Sequence, residues 1–159
     1  MRQHKMFKGC PGSQTADFRT KEVQDDVPAA GSQSQLRQWP VQLHLVSPVA
    51  PYYQGADVLL AADCVAYALG TFHGDYLRGK SLAIACPKLD GGQETYYEKI
   101  KNWIEDAKIN TLTIMIMQVP CCSGLLKLAE QAAKDATRKV PIKYSVVGIQ
   151  GEILQEEWL

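Results

Sequence analysis

Short, continuously apolar runs separated by longer amphipathic stretches are the feature that most restricts how this chain can fold. Val58-Leu59-Leu60-Ala61-Ala62 and Ile114-Met115-Ile116-Met117 do not alternate apolar with polar residues. A run of that kind fits a strand covered on both faces rather than one with a wet side. Comparable runs rich in β-branched residues place candidate strands at 41–46, 57–62, 81–86, 111–117 and 142–149. Candidate helices lie between them at 65–77, 92–107 and 122–138. The second spaces Tyr96, Ile100, Trp103, Ile104 and Ala107 three or four apart, with charged residues on the other positions. The third does the same with Leu125, Leu126, Leu128, Ala129, Ala132 and Ala133, and Pro141 follows its end. Such βα units predict an α/β fold, a three-layer open and mainly parallel sheet of about four to five strands with helices on both faces.

Residues 1–38 show neither period and are rich in polar residues and glycine, so they read as a flexible N-terminal arm ahead of an α/β domain at 39–159. With 159 residues, one core is expected. Lysine plus arginine equals aspartate plus glutamate at 17 each, which gives no global field for nucleic acid or an anionic membrane. The N-terminal residues lead into no apolar segment, so neither a signal peptide nor a membrane span is expected, and the cytoplasm is the default location.

In a reducing compartment structural disulfides are disfavoured, and five cysteines, Cys10, Cys64, Cys86, Cys121 and Cys122, call for another reading. Cys10 lies in the arm, turned by Gly9 and Pro11. The others follow predicted strands: Cys64 in Ala61-Ala62-Asp63-Cys64, Cys86 in Ile84-Ala85-Cys86-Pro87, and the pair in Val119-Pro120-Cys121-Cys122-Ser123-Gly124. Open α/β sheets bind ligands outside the carboxyl ends of their strands, so the fold would bring distant thiols to one edge. Cys64, Cys121 and Cys122 would also open helices, where the dipole lowers a thiol pKa. A free cysteine is often just a small buried apolar residue, but several after successive strands point to a metal or iron–sulfur site.

Other residues read more plainly. His44 would be a hydrogen-bonded strand residue, His73 a surface residue late in the first helix, and Asp63 a cap for that helix. Met115 and Met117 read as core, and Gly91-Gly92 as a turn into the second helix. No phosphate loop, dinucleotide glycine fingerprint or serine nucleophile elbow is present. No acid–base pair stands out.

Several blocks together carry a family resemblance. The segment from Ser34 through Trp39-Pro40-Val41-Gln42-Leu43-His44-Leu45-Val46, then Ala61-Ala62-Asp63-Cys64, Ala83-Ile84-Ala85-Cys86-Pro87-Lys88-Leu89-Asp90, Val119-Pro120-Cys121-Cys122 and Gly148-Ile149-Gln150-Gly151-Glu152-Ile153, resembles the C-terminal α/β domain of ferredoxin-type (4Fe-4S) iron–sulfur proteins of anaerobic bacteria and archaea. In that family the domain follows a Cys-x-x-Cys-x-x-Cys module, a run this sequence lacks. The Pro-Cys-Cys-Ser-Gly block is also similar to cysteine blocks in the small iron–sulfur subunit of methyl-viologen-reducing hydrogenases. The resemblance implies an iron–sulfur or electron-transfer accessory domain working with a ferredoxin-type module or redox enzyme. Its ligands would be Cys64, Cys86 and Cys121 or Cys122, with Cys10 as a fourth donor. Zinc bound by the same residues, a thiol-based redox protein, and a noncatalytic docking domain are the alternatives.

Overall fold

The computed structural model describes residues 14–19 and 33–159. Two short strands, β1 (Ala16–Asp17) and β2 (Gln38–Trp39), pair antiparallel in a small sheet. The main sheet contains β3 (Asp57–Ala62), β4 (Ser81–Ala85), β5 (Thr111–Met117), β6 (Ile142–Val147) and β7 (Ile153–Trp158), in the order β4-β3-β5-β6-β7. All neighbours are parallel except β6 and β7. The helices are α1 (Val65–Ala68), α2 (Gln93–Glu105) and α3 (Ser123–Asp135). This is the expected three-layer α/β architecture.

The order has a consequence for the faces. The chain leaves β3 toward β4 on one side, then crosses back to β5 and continues to β6 in the other direction. Right-handed crossovers therefore put the β3–β4 connection on one face and α2 and α3 together on the other. α2 buries Tyr96, Ile100, Trp103 and Ile104, while α3 buries Leu125, Ala129 and Ala132. The apolar stripes are those the sequence displays. Met115 and Met117 are buried in β5, also as expected.

Three elements differ from the sequence reading. The segment 41–46 makes only one parallel bridge, Gln42 to Ile84, and then turns, with the N–H groups of Leu45 and Val46 both donating to the Gln42 carbonyl. Its carbonyls are satisfied instead by one ammonium: Lys99 Nζ donates to the oxygens of Leu43, His44 and Val46 at 2.7–2.9 Å. His44 is thus an exposed turn residue, not a strand residue. The helix expected at 65–77 is broken, because α1 stops at Ala68 and a π-helical turn, Phe72–Leu77, follows Gly70. The strand expected at 142–149 ends at Val147, and the chain turns back into β7. At that turn Gly151 has φ +91°, and a Cβ there would collide with the Ala68 carbonyl oxygen, so glycine permits the hairpin to sit against α1.

The residues before the main sheet are tied to its β4 edge. Gln38 is fully buried; its Nε2 donates to the Leu82 carbonyl at 2.5 Å and its Oε1 accepts from the Leu82 N–H at 3.1 Å. A side-chain amide here supplies the pairing a neighbouring backbone would give, which removes the cost of burying both groups unpaired.

Candidate functional site

The sheet reverses its direction of growth at β3, since the chain moves from β3 to β4 on one side and returns to β5 on the other. In open α/β sheets, a crevice for ligands opens outside the carboxyl ends of the strands at such a reversal. Here the turns after β3, β4 and β5 carry Asp63-Cys64, Cys86 and Cys121-Cys122. The strand ends are pinned side by side: the Asp63 N–H donates to the Ala85 carbonyl at 3.1 Å, and the Gln118 N–H to the Val147 carbonyl at 2.8 Å. Across the edge, a Cβ on Gly124 at the start of α3 would touch Cβ of Pro87 at 3.4 Å, so the turn bearing Cys86 lies against the helix that Cys122 opens.

All four described cysteines are free thiols. Cys64 and Cys121 are exposed, Cys86 is half-buried and Cys122 is buried. The thiols of Cys121 and Cys64 both lie within electrostatic reach of Cys122. The fold therefore brings Cys64, Cys121 and Cys122 into one neighbourhood, with Cys86 on the adjoining turn. It does not preassemble a ligand shell, because among the described residues no three of His, Cys, Asp or Glu converge closely enough to hold an ion. Cys10 lies outside the described residues.

The electrostatics of the pair differ from expectation. Burial pushes the Cys122 thiol above its ordinary pKa; a hydrogen bond with the Met117 backbone opposes this, and the neighbouring Cys121 and Cys64 add to the rise. The helix dipole expected to activate this thiol is outweighed by loss of water. Cys64 and Cys122 occupy N-cap positions, but neither side chain makes a capping hydrogen bond. α1 is a single turn, too short for a substantial dipole.

Asp63 does not cap α1 either. Its Oδ1 is buried and has no hydrogen-bond partner among the described residues, and its pKa is raised by burial and by the charge of Asp90. Asp90 closes the turn after β4. It accepts at Oδ2 from the Cys86 N–H at 2.8 Å, the Tyr96 hydroxyl at 2.5 Å and Gln42 Nε2 at 3.0 Å. Burial would raise the Asp90 pKa, yet these three donors together hold it below the usual carboxylate value. Tyr96 is pushed well above its usual range by burial and by its bond to Asp90. The His44 ring packs on Tyr96 at 4.2 Å, and its Nε2 is 2.7 Å from the Gly91 carbonyl. This network sets the turn that carries Cys86.

Two features of the edge were not read from sequence. The Asp90–Tyr96–Gln42 network joins residues from three segments, and only the Asp90-Gly91-Gly92 turn signalled it. Large apolar side chains also stand exposed beside the thiol turns: Tyr67 is 94% exposed and Leu89 82%, with Val119 and Ile149 exposed on the turns after β5 and β6. Isolated exposed apolar residues are ordinary, but a set following successive strands marks this edge as sticky.

The fold and its reversal define an open α/β domain with a crevice at the carboxyl edge. A family model described as a Rossmann-like domain matches residues 50–159, and the chain belongs to that family. A protein of Archaeoglobus fulgidus, described as uncharacterized, is 31% identical over 121 residues, covering 75% of this chain and 83% of the relative. No solved structure matches. The turn after β3 reads Asp63-Cys64, without the glycines that cradle a dinucleotide pyrophosphate. Among the described residues no helix is long and apolar enough to cross a membrane.

Proposed function

We propose that this is a cytoplasmic iron–sulfur or electron-transfer accessory domain that works with a ferredoxin-type module or redox enzyme. Cys64, Cys86 and Cys121 or Cys122 are its thiolate donors, and Cys10 is a further donor. The observation that carries the reading is the placement of three thiol-bearing turns after three adjacent strands, β4, β3 and β5, at the point where the sheet reverses. Thiolates are the donors iron–sulfur clusters take, so the chemistry of the set fits the group. The described thiols do not yet form a shell, and ligation on this reading draws the exposed turns together as metal binds. The exposed Tyr67, Leu89, Val119 and Ile149 supply an apolar rim for the partner at the same edge.

The test is elemental analysis and visible absorption of protein purified without air. Iron with a thiolate charge-transfer band is expected, and replacing Cys64, Cys86 and Cys121 together by serine removes both. Colourless, iron-free protein overturns the proposal; stoichiometric zinc in its place assigns the same thiols to a four-coordinate zinc site.

A thiol redox role is the second reading, favoured by the electrostatic nearness of Cys121 and Cys64 to Cys122. Adjacent cysteines bridge poorly, so Cys64 would pair with one of them, giving up two electrons and two protons to an oxidised partner. Reversible loss of two titratable thiols on oxidation, absent in Cys64→Ser, supports it.

A further inference from the structure

The two edges of the main sheet end differently. At β4 the outer backbone groups are taken. Gln38 pairs with both groups of Leu82, the Ile84 N–H donates to the Val41 carbonyl at 2.8 Å, and the Ile84 carbonyl accepts from the Leu43 N–H at 2.9 Å. On the far side the sheet ends at β7, with no strand beyond it among the described residues. The Leu159 N–H donates to the Ile142 carbonyl at 2.9 Å, and antiparallel neighbours exchange bonds at alternate residues. Gln155 and Glu157 therefore turn their backbone groups toward β6, while Glu156 and Trp158 turn theirs outward.

A free edge of this kind pairs with another chain unless it is covered or interrupted, commonly by proline or lysine. Five of the six β7 residues are exposed, with Leu154 at 52% and Trp158 at 63%, and residues 148–159 contain neither proline nor lysine. They carry instead three glutamates and no cationic side chain. On one face of the strand Glu156 is matched by an ion pair with Lys143, whose ammonium also lies 6.0 Å from the centre of the Trp158 ring. On the other face Glu157 accepts from neutral groups, the Tyr144 hydroxyl at 3.1 Å and Gln155 Nε2 at 2.8 Å, and no ion pair neutralises it among the described residues.

These charges select the occupant. Antiparallel pairing with a second copy sets Glu156 against Glu156, or Glu157 against Glu157, when either residue lies on the two-fold axis, and like charges directly opposite are destabilising. A basic strand gains where a copy of β7 loses. We infer that β7 accepts an extended basic segment of a partner protein as a further strand of the main sheet. Backbone bonds form to Glu156 and Trp158, a lysine or arginine of the segment lies beside Glu157, and an apolar residue lies beside Trp158 on the opposite face. The surface is distinct from the cysteine edge and needs neither thiol nor metal.

The probe is a capped heptapeptide of alternating lysine and valine, titrated into the isotope-labelled full chain while amide shifts and hydrogen exchange are followed by NMR. Saturable shifts centred on β7 are expected, with slowed exchange at Glu156 and Trp158. A glutamate–valine counterpart should not bind. Neither should a lysine–proline counterpart, which keeps every positive charge but loses alternate N–H donors. Glu157→Lys should weaken the lysine–valine peptide by about fivefold, because one surface attraction becomes a repulsion. Absence of saturable shifts at β7 overturns the inference, as does equal binding by either counterpart or undiminished binding by Glu157→Lys. A concentration-dependent dimer that protects the same two amides without peptide assigns the edge to a second copy and also overturns it. Cys64→Ser should bind the peptide as the unaltered chain does, so failure of the thiol reading and failure of this one are separable.

Discussion

The two faces of the sheet are built from the same strands and differ in what covers them. Behind α2 and α3 the covering is continuous: Trp103, Ile100, Ile104 and Leu125 are all fully buried. On the other face a one-turn helix and a π-helical turn leave a cavity of about 370 Å³ over Ala61, Leu82 and Ile84. Long helices with unbroken apolar stripes close a face, whereas a connection interrupted at Leu69–Thr71 leaves space there. Stability is therefore concentrated behind α2 and α3, and adaptability is left to the other face and the edge above it.

That contrast can be broken most severely at Trp103. Trp103→Ala should cost about 4 kcal/mol, because a fully buried large ring is removed from a face with no room to relax. Urea unfolding measures it, and a loss under about 1 kcal/mol would mean that this face is not the rigid one.

Tyr96 sits where the packed face meets the thiol edge. Tyr96→Phe should cost about 1–2 kcal/mol at neutral pH by deleting the hydroxyl that Asp90 accepts. The sign of its pH dependence follows from Asp90, whose folded pKa is depressed: that stabilisation is present above the unfolded carboxylate value near ~4 and is lost as pH falls through the folded value. The gap between the two proteins should narrow on acidification below about pH 4. A gap constant across that range would sever Tyr96 from the Asp90 charge.

The smallest effect belongs to the open face. Ala61→Val adds two methyl groups toward the cavity and should change stability by less than about 1 kcal/mol. Thermal melts of this variant beside Trp103→Ala sharpen the comparison directly, and a penalty matching that of the tryptophan change would erase it.

Legibility in the sequence followed packing. β3, β4 and β5 and the two long helices were readable because near-continuous burial along each strand and one buried stripe per helix leave a pattern in the residues. β7 was not readable: only Ile153 is half-buried and the other five residues are exposed, so its pairing with β6 is a backbone matter. Segment 41–46 misled for the opposite reason. Its apolar residues are β-like, but Leu43 and Val46 are buried through a turn held by Lys99, a contact 53–56 residues away in sequence.

At the site, the positions of Cys64, Cys86, Cys121 and Cys122 after strands came from the sequence, since strand ends are local features. Their mutual arrangement did not. Strand order alone makes the turns after β3 and β5 neighbours, and burial alone raises the Cys122 pKa against the dipole. Asp63 illustrates the same limit, because an aspartate before a helix reads locally as a cap. Only the tertiary structure turned it into a carboxylate with one oxygen buried and without a partner among the described residues. The sequence by itself determined β3, β4, β5, most of β6, the two long helices and which turns would hold thiols, because period and short-range chemistry suffice for that. The order of strands, the difference between the faces and the electrostatics of the edge were decided by tertiary structure, because they depend on contacts between residues far apart in the chain and on how much water each contact excludes.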